Sequence, residues 1–196
     1  MSVVLVDSGG ANIGSLRFAL RRVGVDAQLT HDAAAVRAAS HVILPGVGAA
    51  AAGMARLREL DLVEALRALT QPVLGVCLGM QLLCTHSEEG DIDCLGVIDA
   101  PVRRLAGGTG LRVPHTGWNR VQACSPHPLL QPDDTDGWAY FVHGFAVPVC
   151  GATLATSDYG KAFSAAIGHG NFFGVQYHPE RSAELGANLL RNFLAL

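Results

Sequence analysis

The sequence contains no run of lysine and arginine, no C-x-x-C pair, and no apolar stretch approaching the roughly 20 residues that a membrane-spanning helix requires. Each absence removes a class of function. A formal net charge of −3 with only 16% charged residues offers no complementary face to nucleic acid or to an anionic membrane surface. The five cysteines, Cys77, Cys84, Cys94, Cys124 and Cys150, are odd in number and irregularly spaced, which argues against a disulfide framework or a structural zinc; no metal and no cofactor is expected. The first seven residues lack a basic flank and a cleavage site, and they read as a first strand rather than a signal peptide, so a cytoplasmic protein is expected.

What is present is a chain of 196 residues with 49% hydrophobic content, which excludes intrinsic disorder and suits one domain spanning 1–196. Residues 3–7, 26–30, 41–44 and 71–76 are short apolar runs predicted as strands. Between them, residues 15–23, residues 32–39 capped by Asp32, and a long Ala/Leu/Arg segment ending near residue 69 are predicted as helices. Strands apolar on both faces and linked by helices imply an α/β fold: an open, twisted, largely parallel sheet with helices on both faces, flavodoxin-like. The second half has shorter runs at 95–98, 120–123, 138–142, 162–167 and 171–176, read as an antiparallel extension, and an amphipathic helix at 182–193. The glycine-rich loop at 9–15 has the glycine spacing of a phosphate loop. It carries Ser15 where the phosphate-contacting lysine belongs, and reads as a turn or a partner surface.

In an open parallel sheet, function collects at the carboxyl ends of the strands. There stands Gly75-Val76-Cys77-Leu78-Gly79, a G-x-C-x-G between an apolar strand and a helical run, the cysteine counterpart of a serine nucleophile elbow. Such a turn strains the nucleophile's backbone and sets its sulfur at a helix start, where the thiolate is favoured; the bland reading is a tight turn with a buried thiol. Near the C-terminus, Tyr177-His178-Pro179-Glu180 follows another strand. Residues two apart in extended chain project to one side, so Glu180 can fix the tautomer of His178 while the other ring nitrogen faces Cys77. Pro45-Gly46-Val47-Gly48 ends the third strand, and the main-chain amides of Val47 and Leu78 are the candidate oxyanion donors. Gln81, one helical turn beyond Cys77, is either a contact for a polar substrate or a solvated helix residue.

The segments 75–83 and 174–180 resemble those of class I, triad-type glutamine amidotransferases. Segments 45–49, 113–119 and 140–145 narrow the resemblance to the glutaminase subunits of imidazole glycerol phosphate synthase, in part because Met80 stands where glutaminases of other pathways usually have histidine. The resemblance implies that Cys77 attacks the side-chain amide of glutamine, with His178 as general base and acid, Glu180 orienting it, and Val47 and Leu78 stabilising the oxyanions. It also implies substrate binding by Gly48, Gln81, Gly144 and Phe145. The ammonia is expected to pass to a cyclase subunit in a heterodimer that serves histidine biosynthesis, with Asn12, His115, Trp118, Asn119 and Arg181 at the partner interface. The sequence departs from the family's usual pattern at Ser8, Ala11 and Ile13, at Gly144 and Phe145, where a hydroxyl residue and Tyr are usual, and at Arg181, where Lys is usual. A glutaminase of another pathway, another cysteine hydrolase and a non-catalytic scaffold remain the rival readings.

Overall fold

The computed structural model describes residues 1–7, 12–108, 110–130 and 136–196. Residues 8–11, with the departures Ser8 and Ala11 and the core of the glycine-rich loop, lie outside the described residues. Strands β1 (Val3–Val6), β2 (Gln28–Thr30), β3 (His41–Gly46), β4 (Val73–Cys77) and β13 (Phe172–Val175) run parallel, in the order β2-β1-β3-β4-β13. The sheet then continues antiparallel through β12 (Ala162–His169), β11 (Thr153–Asp158), β8 (His115–Ala123) and β9 (Asp136–His143), giving nine strands. A smaller four-stranded sheet joins β10 (Phe145–Ala146), β7 (Pro101–Arg104), β5 (His86–Ser87) and β6 (Ile92–Asp93) in that order.

Alternation along the strands builds two cores. Val3 and Leu5 of β1, Ile43 of β3 and Leu74 and Val76 of β4 face helices α1 (Ile13–Arg22) and α6 (Ala183–Leu194). Val4, Val6, Val42, Leu44 and Val73 face α2 (Ala33–Ala38), α3 (Ala50–Glu59), α4 (Val63–Arg67) and α5 (Leu78–Leu83). Every residue of β1 and β4 is buried, as parallel strands covered on both faces must be. Asp32 caps α2 as expected, accepting from the amides of Ala34 and Ala35 at 3.0 and 3.3 Å. Among the described residues no helix is long and apolar enough to cross a membrane.

Three expectations are corrected. The long helix ending near residue 69 is two helices, because the chain turns through Asp61 at φ 53° and buries Leu62 completely. Residues 95–98 are not a strand. The amide of Leu95 bonds Leu82 O at 2.8 Å, that of Gly96 bonds Cys84 O at 2.7 Å, and those of Val97 and Ile98 both bond Leu83 O at 3.0 Å, so this segment satisfies carbonyls at the end of α5. The small sheet and β11 were not anticipated: three of the four strands of the small sheet have two residues, too few to show alternation, and the six-residue β11 is largely polar or small, TLATSD.

Residues 171–176 were expected in the antiparallel extension, but β13 inserts parallel beside β4 and brings the C-terminal part of the chain against its middle, with Val175 level with Val76. Helix α5 lies directly on this sheet because glycines leave no side chain between them. A Cβ at Gly79 would stand 1.8 Å from Leu44 O, and one at Gly75 would stand 2.6 Å from Gly79 O. Neither backbone can retreat without separating helix from sheet. Gly79→Ala is therefore expected to destabilise the fold by at least about 3 kcal/mol, the upper end of the usual overpacking cost, in urea denaturation. A loss under about 1 kcal/mol would show that the helix is not held this closely.

Candidate active site

Cys77 is both the last residue of β4 and the residue that caps α5, so strand turns into helix with no linker. Its backbone has φ 54° and ψ −111°, a conformation that non-glycine residues reach only at a cost of order 1–3 kcal/mol. The packing of α5 over Gly75 imposes that conformation and turns the sulfur to the carboxyl edge of the sheet. Burial pushes the thiol of Cys84 up, and pushes that of Cys94 up to about 11, so these two neighbours are inert.

At the same edge, the chain leaving β13 delivers His178, whose Nδ1 lies 2.8 Å from Glu180 Oε1; Pro179–Arg181 is a 3-10 turn rather than the extended chain expected, and this turn brings the carboxylate to the ring. Both side chains are buried. Nδ1–H donates to the carboxylate, which leaves the other ring nitrogen for Cys77, on the wall of the same cavity. Burial works against protonating this ring and is the largest single influence. The hydrogen bonds to Cys77 and Glu180 and the charges of both partners together outweigh it, raising His178 from the ordinary 6.5 to about 10. The side chain of Asn12 also turns inward: its Nδ2 donates to Glu180 Oε1 and lies 3.2 Å from His178 Nδ1. Two N–H groups thus converge on one carboxylate oxygen.

A cavity of about 160 Å³ opens beside the sulfur, lined by residues that include Val47, Gly48, Cys77, Leu78, Gln81, Gly144, Phe145 and His178. All the residues expected at the nucleophile, oxyanion site and substrate pocket therefore meet at one cavity. Val47 directly follows Gly46, which is paired with Cys77 across β3 and β4. Gln81 is not solvated: it is buried, and its Nε2 donates to Phe145 O and to Gln176 Oε1, each at 2.9 Å.

Three cavity or near-cavity residues escaped the sequence reading. Gln176, in the bend directly after β13 and two residues before His178, donates from Nε2 to Cys77 Sγ at 3.8 Å. Glu89, on the turn between β5 and β6, lines the cavity while its Oε2 accepts from the amide of Ala50 at the start of α3; no local pattern marks it. His143 also lines the cavity. The Phe145 carbonyl 2.9 Å away only accepts, so Nδ1 of His143 carries the proton and Nε2 accepts from His115 Nδ1 at 3.1 Å. Burial lowers His143 to about 4, against the pull of that backbone hydrogen bond, and lowers His115 as well, so this pair is neutral near pH 7.

The expected interface residues divide. Trp118 is half exposed and edge-on to Tyr140, and the Arg181 guanidinium lies 4.1 Å from the centre of the same ring. Both line a recess between α1 and α6, outside the wall formed by Glu180. One other needs correction. His115 is buried, stacked between Phe141 and Tyr159, and faces the core rather than a surface. Asn119 is half-buried and donates to Asp158 O at 2.7 Å. Asn12 borders the Arg181 recess, but its amide is spent on Glu180 and not on an outward contact.

Comparison with known proteins agrees with this geometry. The family described as glutamine amidotransferase class-I matches residues 4–196. This chain belongs to that family. The amidotransferase is 54% identical over 196 residues to imidazole glycerol phosphate synthase subunit HisH of Idiomarina loihiensis, covering 100% of this chain and 98% of that one. It is 53% identical over 194 residues to the subunit of the same name from Xanthomonas axonopodis pv. citri, covering 99% and 97%. Among solved structures it resembles a glutamine amidotransferase with TM-score 0.78 at 20% identity, covering 100% and 98% of the two chains. It also resembles PurLQS of Thermotoga maritima with TM-score 0.71 at 18% identity, covering 99% and 97%. These structural likenesses are evidence of the shared fold.

The charge state of His178 in this amidotransferase has a measurable consequence. Its folded-state value lies above the ordinary 6.5, so protonated His178 stabilises the fold fully below that pH, and the contribution is lost as the pH rises through about 10. The stability advantage of the wild type over His178→Gln in urea denaturation is expected to shrink from about pH 6 to about pH 11. An advantage that stays constant, or grows, would contradict the ion-paired site.

Proposed function

We propose that this chain is the glutaminase subunit of imidazole glycerol phosphate synthase. Its domain spans 1–196, and it hydrolyses glutamine to glutamate and ammonia and hands the ammonia to a cyclase subunit. The observation that carries the reading is the meeting of a strained Cys77 and His178 on the wall of one small cavity, with a buried Glu180 bonded to the far side of the His178 ring. Relatives more than 50% identical over nearly their whole length carry the name of that subunit.

The chemistry follows from the charges. The Cys77 thiolate, with the His178 imidazolium as counter-ion, attacks the side-chain amide carbon of glutamine; a C–S bond forms and the carbonyl electron pair moves to oxygen. The amides of Val47 and Leu78 stabilise that oxyanion, each worth about 3 kcal/mol in the transition state. Its collapse breaks the C–N bond, and His178 gives its proton to the departing ammonia. Water then attacks the glutamyl thioester while His178 takes back a proton, and glutamate leaves as the C–S bond breaks. Glu180 stabilises the imidazolium at both stages, and Asn12 holds Glu180.

The remaining cavity residues suit an amino-acid substrate. A volume of about 160 Å³ favours a single amino acid over the peptide that a cysteine peptidase would take. Glu89 supplies a carboxylate for the α-ammonium group, while Gly48, Gln81, Gly144 and Phe145 offer main-chain and amide groups for the polar ends. The backbone of Gly144 and Phe145 serves this purpose without the usual hydroxyls. Ammonia leaves past Asn12 and Glu180 toward the outer face carrying Trp118, Tyr140 and Arg181, where the cyclase subunit docks. The heterodimer works in the cytoplasm.

Ammonia release from glutamine, assayed with and without a cyclase subunit, tests the reading. Addition of the cyclase is expected to stimulate hydrolysis, and Cys77→Ala to lower kcat by at least about 10⁴-fold with the complex still forming. Hydrolysis by Cys77→Ala would remove the mechanism. Indifference to the cyclase would reassign the chain to another pathway.

A further inference from the structure

Gln176 is completely buried, and its side-chain amide has both ends engaged: Oε1 accepts from Gln81 Nε2 at 2.9 Å, and Nε2 donates to Cys77 Sγ at 3.8 Å, within reach of an N–H to sulfur contact. The direction of this relay is set by one backbone group. The carbonyl of Phe145 can only accept, so the Gln81 end that meets it at 2.9 Å is the NH₂ end. That same NH₂ faces Gln176, which must present its oxygen there and its own NH₂ to the sulfur. Reversing Gln176 would oppose two NH₂ groups across 2.9 Å and press an oxygen against the sulfur.

The sulfur therefore lies between an acceptor and a donor. Val142 O, 3.9 Å away, is served by a thiol S–H and repels a thiolate. The Gln176 N–H is indifferent to a thiol and attracts a thiolate. The titratable groups that share the cavity with the sulfur are His178 from the end of β13, His143 from β9 and Glu89 from the turn between β5 and β6. Of these, His178 favours the thiolate as its counter-ion, His143 is neutral, and Glu89 opposes the thiolate. Gln176 is thus the one uncharged side chain among the described contacts of the sulfur that favours the anion and offsets Val142 O.

We propose that Gln176 is a hydrogen-bond donor to the nucleophile, holding the Cys77 sulfur in its charged, reactive form, and that Gln81 is the positioning residue that orients it. This rests on the reading of Cys77 as nucleophile. The Phe145 carbonyl that fixes the relay also forms part of the cavity wall, so the wall that receives glutamine and the sulfur that attacks it share one hydrogen-bonded chain.

The test is the rate of Cys77 alkylation by iodoacetamide as a function of pH, read by peptide mass spectrometry so that the other cysteines are scored separately. Gln176→Glu keeps the size and the acceptor for Gln81 but replaces the donor on sulfur; Gln176→Met removes both polar ends. Each variant is expected to move the inflection up by about one pH unit and to slow alkylation near neutrality about tenfold, with kcat falling more than KM rises. An unmoved inflection in either folded variant would overturn the proposal, since a purely structural role does not alter the pH profile. Should neither fold, wild-type protein labelled with ¹⁵N-glutamine gives the same decision. One side-chain NH₂ pair is expected to shift with the alkylation midpoint and to lose that response in Cys77→Ala; absence of such a pair would overturn the proposal. Glutamine hydrolysis by Cys77→Ala would instead remove the nucleophile assignment, whatever the alkylation profile.

Discussion

The contact on which the site depends is that of one short helix with three strands. Helix α5 rests on β3, β4 and β13 at a separation that excludes a Cβ at Gly46, Gly75, Gly79 and Gly174 alike. At that separation the chain has no room for a loop after β4, and the turn must be made by Cys77 itself, at positive φ. The strain is held in place by burial on both sides of the sheet, so the position of the sulfur is a property of the packing rather than of local preference.

Charge at the site is decided by a contest between burial and pairing, and two histidines show both outcomes. Burial is the largest influence on each. His178 has a carboxylate and a sulfur as partners, and pairing wins; His143 has a carbonyl and a second histidine, and burial wins. The protein thus holds a proton donor beside the nucleophile and a neutral ring a few residues along the cavity wall. Glu180 does its part because two donors, His178 and Asn12, meet on a single one of its oxygens. The bond to Asn12 ties the site to the start of α1, which borders the recess that holds Arg181.

Much of this was legible in the residues. The parallel half of the sheet followed from strands apolar on both faces, and the elbow followed from glycine spacing; the His178–Glu180 pairing was expected from period-2 geometry, but a 3-10 turn over Pro179–Arg181 makes it instead. The rest failed for identifiable reasons. Residues 95–98 are apolar enough for a strand, but their amides were claimed by the carbonyls at the end of α5, a tertiary demand with no local signature. His115 occupies a segment that resembles an interface, yet alternation along β8 turns it into the core, while Trp118 on the same strand faces out. Glu89 reaches the cavity only because a hairpin folds across the start of α3. Gln176 could have been found from its place two residues before His178.

The central claim is that one packed edge of sheet presents a sulfur, an imidazolium and two amides in a single attacking geometry. A crystal structure of the chain after reaction with an electrophilic glutamine analogue measures this directly. The account predicts a covalent bond to Cys77 Sγ, with the oxygen of the adduct in hydrogen-bond reach of the amides of Val47 and Leu78 and the analogue's ammonium group against Glu89. A bond to another cysteine, such as the exposed Cys124, or an adduct oxygen directed away from both amides, would contradict it.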